Sequence, residues 1–194
     1  MSTTESESAA PSAPSPSPQP PKPNPAPETR LKVGAIYLLL FIRDRDPAAG
    51  FHWALYHHRA PAGGYKFNVK QLGAGWLCDS APHTAAGIMR AFLLAGALRI
   101  GYCDPDEEGW KERMGWIDEV DLTRPPEGYE VFTCRTWTMG CVRGLVRRGY
   151  VTLKGDMDVD ELEKEAKEWG LVHHESAHEG ILPRPVEDSR VCVL

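Results

Sequence analysis

No run of this sequence is long and apolar enough to span a bilayer, which takes roughly 18 to 20 such residues. The longest candidates are Val33–Ile42 and Ala85–Leu98, and Arg90 interrupts the second. Both read as core elements. A basic excess is missing too. The chain carries 22 Lys and Arg against 27 Asp and Glu, a net charge of −5, which argues against a general nucleic-acid binder. There is no Cys-x-x-Cys, no Gly-Lys-Ser/Thr after the Gly73-Ala74-Gly75 loop to cradle a phosphate, and no zinc spacing around Cys78 and His83. His174 and His178 stand at i, i+4 but bring only Glu175 or Glu179 as a third ligand. No metal or organic cofactor is therefore expected. Apolar signal-peptide and Arg-rich transit patterns are also lacking at the start. Five cysteines (Cys78, Cys103, Cys134, Cys141, Cys192) form an odd set. Without a secretion signal, this favours free thiols in a reducing compartment, cytoplasmic or nuclear.

What is present is unevenly placed. Nine of the 17 prolines precede Glu28, among Ser, Ala, Gln and Asn and without an aromatic side chain. Such a segment buries too little apolar surface to offset the entropy of ordering, so Met1–Thr29 reads as a disordered Pro/Ser-rich tail. Its Pro-Ser-Pro-Ser-Pro-Gln-Pro-Pro-Lys-Pro run suits polyproline II and an SH3- or WW-type partner. Residues 30–185 have the length of one self-sufficient domain, and 186–194 read as a flexible C-terminus.

Within that domain the apolar pattern gives an α+β fold, an antiparallel β-meander packed against helices. Strands are expected at Val33–Ile42, Phe51–His58, Tyr65–Leu72 and Gly75–Cys78, with hairpin-length connections. A helix is expected over Thr84–Leu98, a short strand over Leu98–Cys103 and a helix near Glu112–Val120. Thr133 reads as the N-cap of a helix Cys134–Arg148, ended by Gly149. Tyr150–Leu153 reads as a strand, and Asp158–Trp169 as an acidic helix stopped by Gly170. His57 and His58 adjoin the turn and are expected to be exposed.

One constellation carries chemistry. A nucleophilic cysteine needs a lowered pKa, which a helix N-terminus supplies, and a histidine to take its proton. Cys134 meets the first condition and His52 can meet the second. Strand parity supplies a third member. In an antiparallel hairpin with an even pairing sum, His52 and Asn68 fall on one face, and a one-residue slip would separate them. Asn68 is a polar residue between the apolar Phe67 and Val69, and an asparagine can orient an imidazole. The bland alternative is also legible: Cys134, Trp137, Cys141 and Leu145 share one helical face, as core residues do.

His52-Trp53-Ala54-Leu55-Tyr56 on a strand, a polar Asn68 on the next, and a helix-initiating Cys134 resemble the circularly permuted papain-like proteins. These comprise the LRAT-like acyltransferases and phospholipases, the PPPDE-type peptidases and their NlpC-type relatives. The resemblance spans Gly34 to Gly149 and implies a permuted papain-like fold with His52 as general base, Asn68 as its orienting partner and Cys134 as nucleophile. It departs at the nucleophile, where Thr-Cys-Arg-Thr-Trp replaces Asn-Cys-Glu-His-Phe, and at Asn68, where histidine is common. The membrane-spanning tail that many LRAT-like proteins carry is absent. The whole chain is also similar to small fungal proteins of no assigned activity. The function expected is a cysteine hydrolase or acyltransferase acting on a peptide, an isopeptide or a lipid ester. The alternative is a non-catalytic protein-binding or scaffold module with a proline-rich tail.

Overall fold

β1 (Ala35–Ile42) is an eight-residue run of aliphatic and aromatic side chains, and the computed structural model places it inside a sheet with both faces covered. The structure describes residues 30–194, so the proline-rich segment lies outside it. Side chains alternate across a strand. Ile36, Leu38, Leu40 and Ile42 therefore enter the larger core cluster, while Ala35, Tyr37 and Leu39 enter a second one.

β2 (Phe51–Ala60) pairs antiparallel with β1, with Leu38 opposite Leu55. β3 (Gly63–Phe67) continues outward, and β6 (Ala81–Thr84) closes that edge. β7 (Leu94–Tyr102) covers the other side of β1, followed by β9 (Val186–Asp188), which lies parallel to it. The sheet order is thus β6-β3-β2-β1-β7-β9, antiparallel but for its last pair. β4 (Val69–Leu72) and β5 (Gly75–Cys78) make a separate hairpin, and β8 (Thr152–Leu153) pairs with β10 (Cys192–Val193). The helices are α1 (Ala85–Met89), α2 (Glu107–Met114), α3 (Cys134–Arg147), α4 (Val159–Val172) and α5 (His174–His178). Trp137, Cys141 and Leu145 of α3 and Leu162, Ala166 and Trp169 of α4 share the larger core with β1 and β2. The protein is thus mixed α+β, with helices packed on a mostly antiparallel sheet.

Several expected elements differ. The Thr84–Leu98 helix is only the short α1, and Leu94–Tyr102 is strand β7. The small residues there suit a helix, but their reason is close packing. A Cβ on Gly96 would lie 2.6 Å from the Trp169 ring, and one on Gly101 2.2 Å from the Tyr150 carbonyl oxygen. Phe92, which would share one face of such a helix with Ile88 and Ala95, is 75% exposed. The Tyr65–Leu72 strand divides at Asn68 between two sheets. Glu107–Met114 is α2, ahead of the helix expected near Glu112–Val120, where a 3₁₀ turn continues to Glu119. The acidic helix runs past Gly170 to Val172. The expected flexible end 186–194 instead contributes β9 and β10.

His57 and His58 are buried, not exposed. His57 Nε2 donates to the Cys103 carbonyl at 2.9 Å, and its Nδ1 accepts from Trp110 Nε1 at 3.0 Å. Burial holds His57 neutral, its pKa pushed down to about 4.

Candidate active site

β3 pairs with β2 only from Leu55 onward, so the Phe51–Ala54 stretch of β2 has no strand along that edge. The first turn of α3 occupies the place. Thr133 caps that helix: its side chain accepts from the Thr136 backbone N–H, and Thr136 Oγ1 accepts from the Thr133 backbone N–H at 2.8 Å. This reciprocal cap fixes where the helix begins. It leaves the backbone N–H groups of Cys134 and Arg135 without an acceptor among the described residues, at the positive end of a 14-residue helix dipole.

His52 projects from β2 beside Phe41, their rings 6.1 Å apart. Its Nε2 lies 2.6 Å from Asn68 Oδ1. Asn68 Nδ2 donates to Asp79 Oδ2 at 3.4 Å, and the Asn68 backbone N–H donates to Ser80 Oγ at 3.1 Å. Asp79 is held in turn by Lys70 Nζ at 2.7 Å. With its amide nitrogen turned to a carboxylate, Asn68 offers only an acceptor to His52. This assigns the proton to Nε2 and leaves Nδ1 as the unprotonated ring nitrogen. The β2–β3 register has the even sum that parity requires, Leu55 opposite Phe67 and His57 opposite Tyr65.

Cys134 is fully buried. Burial pushes its thiol pKa up, but hydrogen bonding from the His52 side chain and the Trp53 backbone, and the charges of His52 and Arg43, outweigh this and bring it to about 7. The other four cysteines are free as well, and burial raises the pKa of each. Cys134 alone is tuned toward thiolate.

Two contributors were not anticipated. Arg43 donates from Nη2 to Cys134 Sγ at 3.0 Å. It follows the end of β1, where Ile42 faces Phe51 and Phe41 faces His52. A β1–β2 register derived from sequence would have put it beside the histidine. Asp79 had no sequence signal, because its role depends on the turn that brings β5 back past Asn68.

A cleft of about 320 Å³ opens on the far side of Arg43 from the sulfur it bonds, and neither Cys134 nor His52 is part of its wall. Thr133 and Arg135, on either side of Cys134, line it together with Arg43, Phe51, Trp53 and Lys167. Among the described residues no group of three His, Cys, Asp or Glu side chains is placed to hold a metal ion, and no helix is long and apolar enough to cross a membrane. His174 is buried, and neither ring nitrogen has a hydrogen-bond partner among the described residues. Comparison with protein-family models, with curated proteins and with solved structures found no match.

Proposed function

We propose that the protein is a thiol hydrolase or acyltransferase on a permuted papain-like scaffold, with Cys134 as nucleophile, His52 as acid and base, and Asn68 as the group that orients His52. The observation that carries this reading is the convergence at one helix start. A thiol lowered to about 7 meets an imidazole whose far nitrogen is bonded to Asn68 at 2.6 Å.

The chemistry needs no cofactor. His52 takes the thiol proton, and the Cys134 thiolate attacks the carbonyl carbon. A C–S bond forms while the π pair moves onto oxygen, and the backbone N–H groups of Cys134 and Arg135 donate hydrogen bonds to the resulting oxyanion. Collapse expels the amine or alcohol, protonated by His52, and leaves a thioester. Water or a second nucleophile, deprotonated by His52, then releases the acyl group and restores the thiol. A peptide, an isopeptide or a lipid ester all satisfy this sequence. Because Arg43 lies across the sulfur, its guanidinium must swing outward for a substrate to enter.

One observation favours a rival, the non-catalytic binding module: Cys134 is 0% exposed, as a core thiol would be. Alkylation with iodoacetamide at pH 6, mapped by mass spectrometry, separates the two. The hydrolase reading expects Cys134 to label ahead of Cys78, Cys103, Cys141 and Cys192, and His52→Ala to remove that preference. Labelling no faster than the other four, or unaltered by His52→Ala, leaves the binding module as the account.

A further inference from the structure

The cleft that Arg43 separates from Cys134 has an uneven charge. Three cations line it, Arg43, Arg135 and Lys167, and no carboxylate does. Arg135 and Lys167 share one buried partner, Glu163, which also accepts from the Tyr129 hydroxyl at 2.6 Å. One negative charge therefore answers two positive ones. Arg43 has no carboxylate partner among the described residues, and its only hydrogen bond is to the Cys134 sulfur. Apart from Thr133, the rest of the wall is apolar, chiefly Phe51, Trp53, Pro47 and Leu171. A cleft that is small, apolar along its sides and cationic at Arg43 is mismatched to a long hydrocarbon chain, which would strand Arg43 and Lys167 away from water. It is matched to a compact anion.

We propose that this cleft is the acyl-side subsite of the thiol chemistry and takes an acyl group about the size of one or two amino-acid residues that carries a carboxylate. The substrate class is an amide or isopeptide whose acyl half is acidic. Arg43 is its receptor. On entry the guanidinium leaves the sulfur for the substrate carboxylate, so one movement uncovers the nucleophile and anchors the group to be attacked. Arg135 and Lys167 add attraction that Glu163 only half cancels. This inference rests on the hydrolase reading and narrows its substrate to an anionic acyl group.

The test uses two alkylating agents that differ in charge. Iodoacetate and iodoacetamide react with a thiolate in the same way: the C–S bond forms as iodide departs with the C–I pair. Any change in the thiol's pKa, or in how far Arg43 covers it, acts on both reagents alike and cancels from the ratio of their rates. A nearby cation favours only the anionic reagent. On the full-length protein at pH 7 and low salt, the iodoacetate-to-iodoacetamide ratio at Cys134 should exceed that of glutathione by about tenfold. His52 contributes to that excess, so the decisive comparison keeps it in place. Arg43→Gln should lower the ratio about fivefold and Lys167→Gln by a smaller factor, and about 0.5 M salt should shrink the wild-type excess. A wild-type ratio equal to that of glutathione, or a ratio unchanged by Arg43→Gln, overturns the subsite while leaving the nucleophile standing. Slow reaction with both reagents that is also indifferent to His52→Ala overturns the thiol chemistry, and the subsite with it.

Discussion

Two opposed influences meet at Cys134. Burial alone would hold the thiol protonated, as it does at Cys141 in the same core cluster, where the pKa is pushed well above the usual value. At Cys134 the His52 imidazole, the Trp53 backbone N–H and the Arg43 guanidinium reverse the balance and bring it to about 7. The reversal has a consequence for stability. The folded thiol loses its proton near pH 7, whereas an unfolded cysteine keeps it until about 8.5. Between those values the unfolded chain binds more protons, so stability rises with pH across this window and the gain is lost as pH falls through 7. Comparing wild type with Cys134→Ser isolates the effect, because the other titrating groups are common to both. The wild type should gain about 1–2 kcal/mol relative to the serine variant between pH 7 and 9 in urea denaturation. Parallel curves would mean that the folded thiol titrates like an ordinary one.

At the scale of elements, the start of α3 was the most legible part of the sequence. Thr133 before a periodic apolar run is a cap signal, and the helix begins where it says. The Thr133 cap holds Cys134 in the first turn, so Thr133→Ala should act on both stability and chemistry. Loss of the cap should cost about 1 kcal/mol, a fall of about 2–4 °C in Tm by calorimetry. Cys134 alkylation should slow in the same variant. A Tm unchanged to within a degree or so would mean that packing of Trp137 and Leu145, not the cap, fixes the helix start. β1 and β2 were legible for a related reason, since short runs rich in aliphatic or aromatic residues and bounded by turn signals suit a strand. The Thr84–Leu98 segment was misread because Ala, Gly and Leu satisfy a helix as well as a strand pressed against Trp169 and Tyr150. Local pattern cannot register a constraint set by residues 49 and 73 positions away. The same limit hid the Arg43 bond to Cys134, which spans 91 positions, whereas Asp79 was hidden because its place depends on how the β4–β5 hairpin turns back past Asn68. His52 and Asn68 escaped it because hairpin parity is itself a local rule.

At the scale of the whole molecule, the ends of the chain make opposite contributions. The proline-rich residues 1–29 have a composition that adds little to a core, so deleting them should leave Tm unchanged. The last nine residues had a similar expectation, yet they are tied in at three places. β9 completes the sheet edge alongside Ala97–Arg99, and Arg99 holds Asp188 through two bonds of 2.7 and 2.6 Å. β10 pairs with β8, burying Val191 and Cys192. The third tie is polar. Glu165 of α4 is 6% exposed, and it accepts from Ser189 Oγ at 2.5 Å, from the Arg190 backbone N–H at 2.7 Å and from Arg190 Nε at 3.2 Å. Removing residues 186–194 would strip those donors from a buried carboxylate, a loss of about 3–5 kcal/mol where a buried charge is left unpaired. It would also expose the edge of β7 and the apolar surface under Val191. Since a domain is stable by only about 5–15 kcal/mol in all, the truncated protein should melt more than about 10 °C lower or fail to fold cooperatively. Combining the truncation with Glu165→Leu separates the two causes, because an apolar side chain there no longer needs donors. Partial recovery of Tm in that double variant would assign the loss to the stranded carboxylate. A truncated protein that melts within about 2 °C of full length would show that residues 186–194 only lie on the surface they cover.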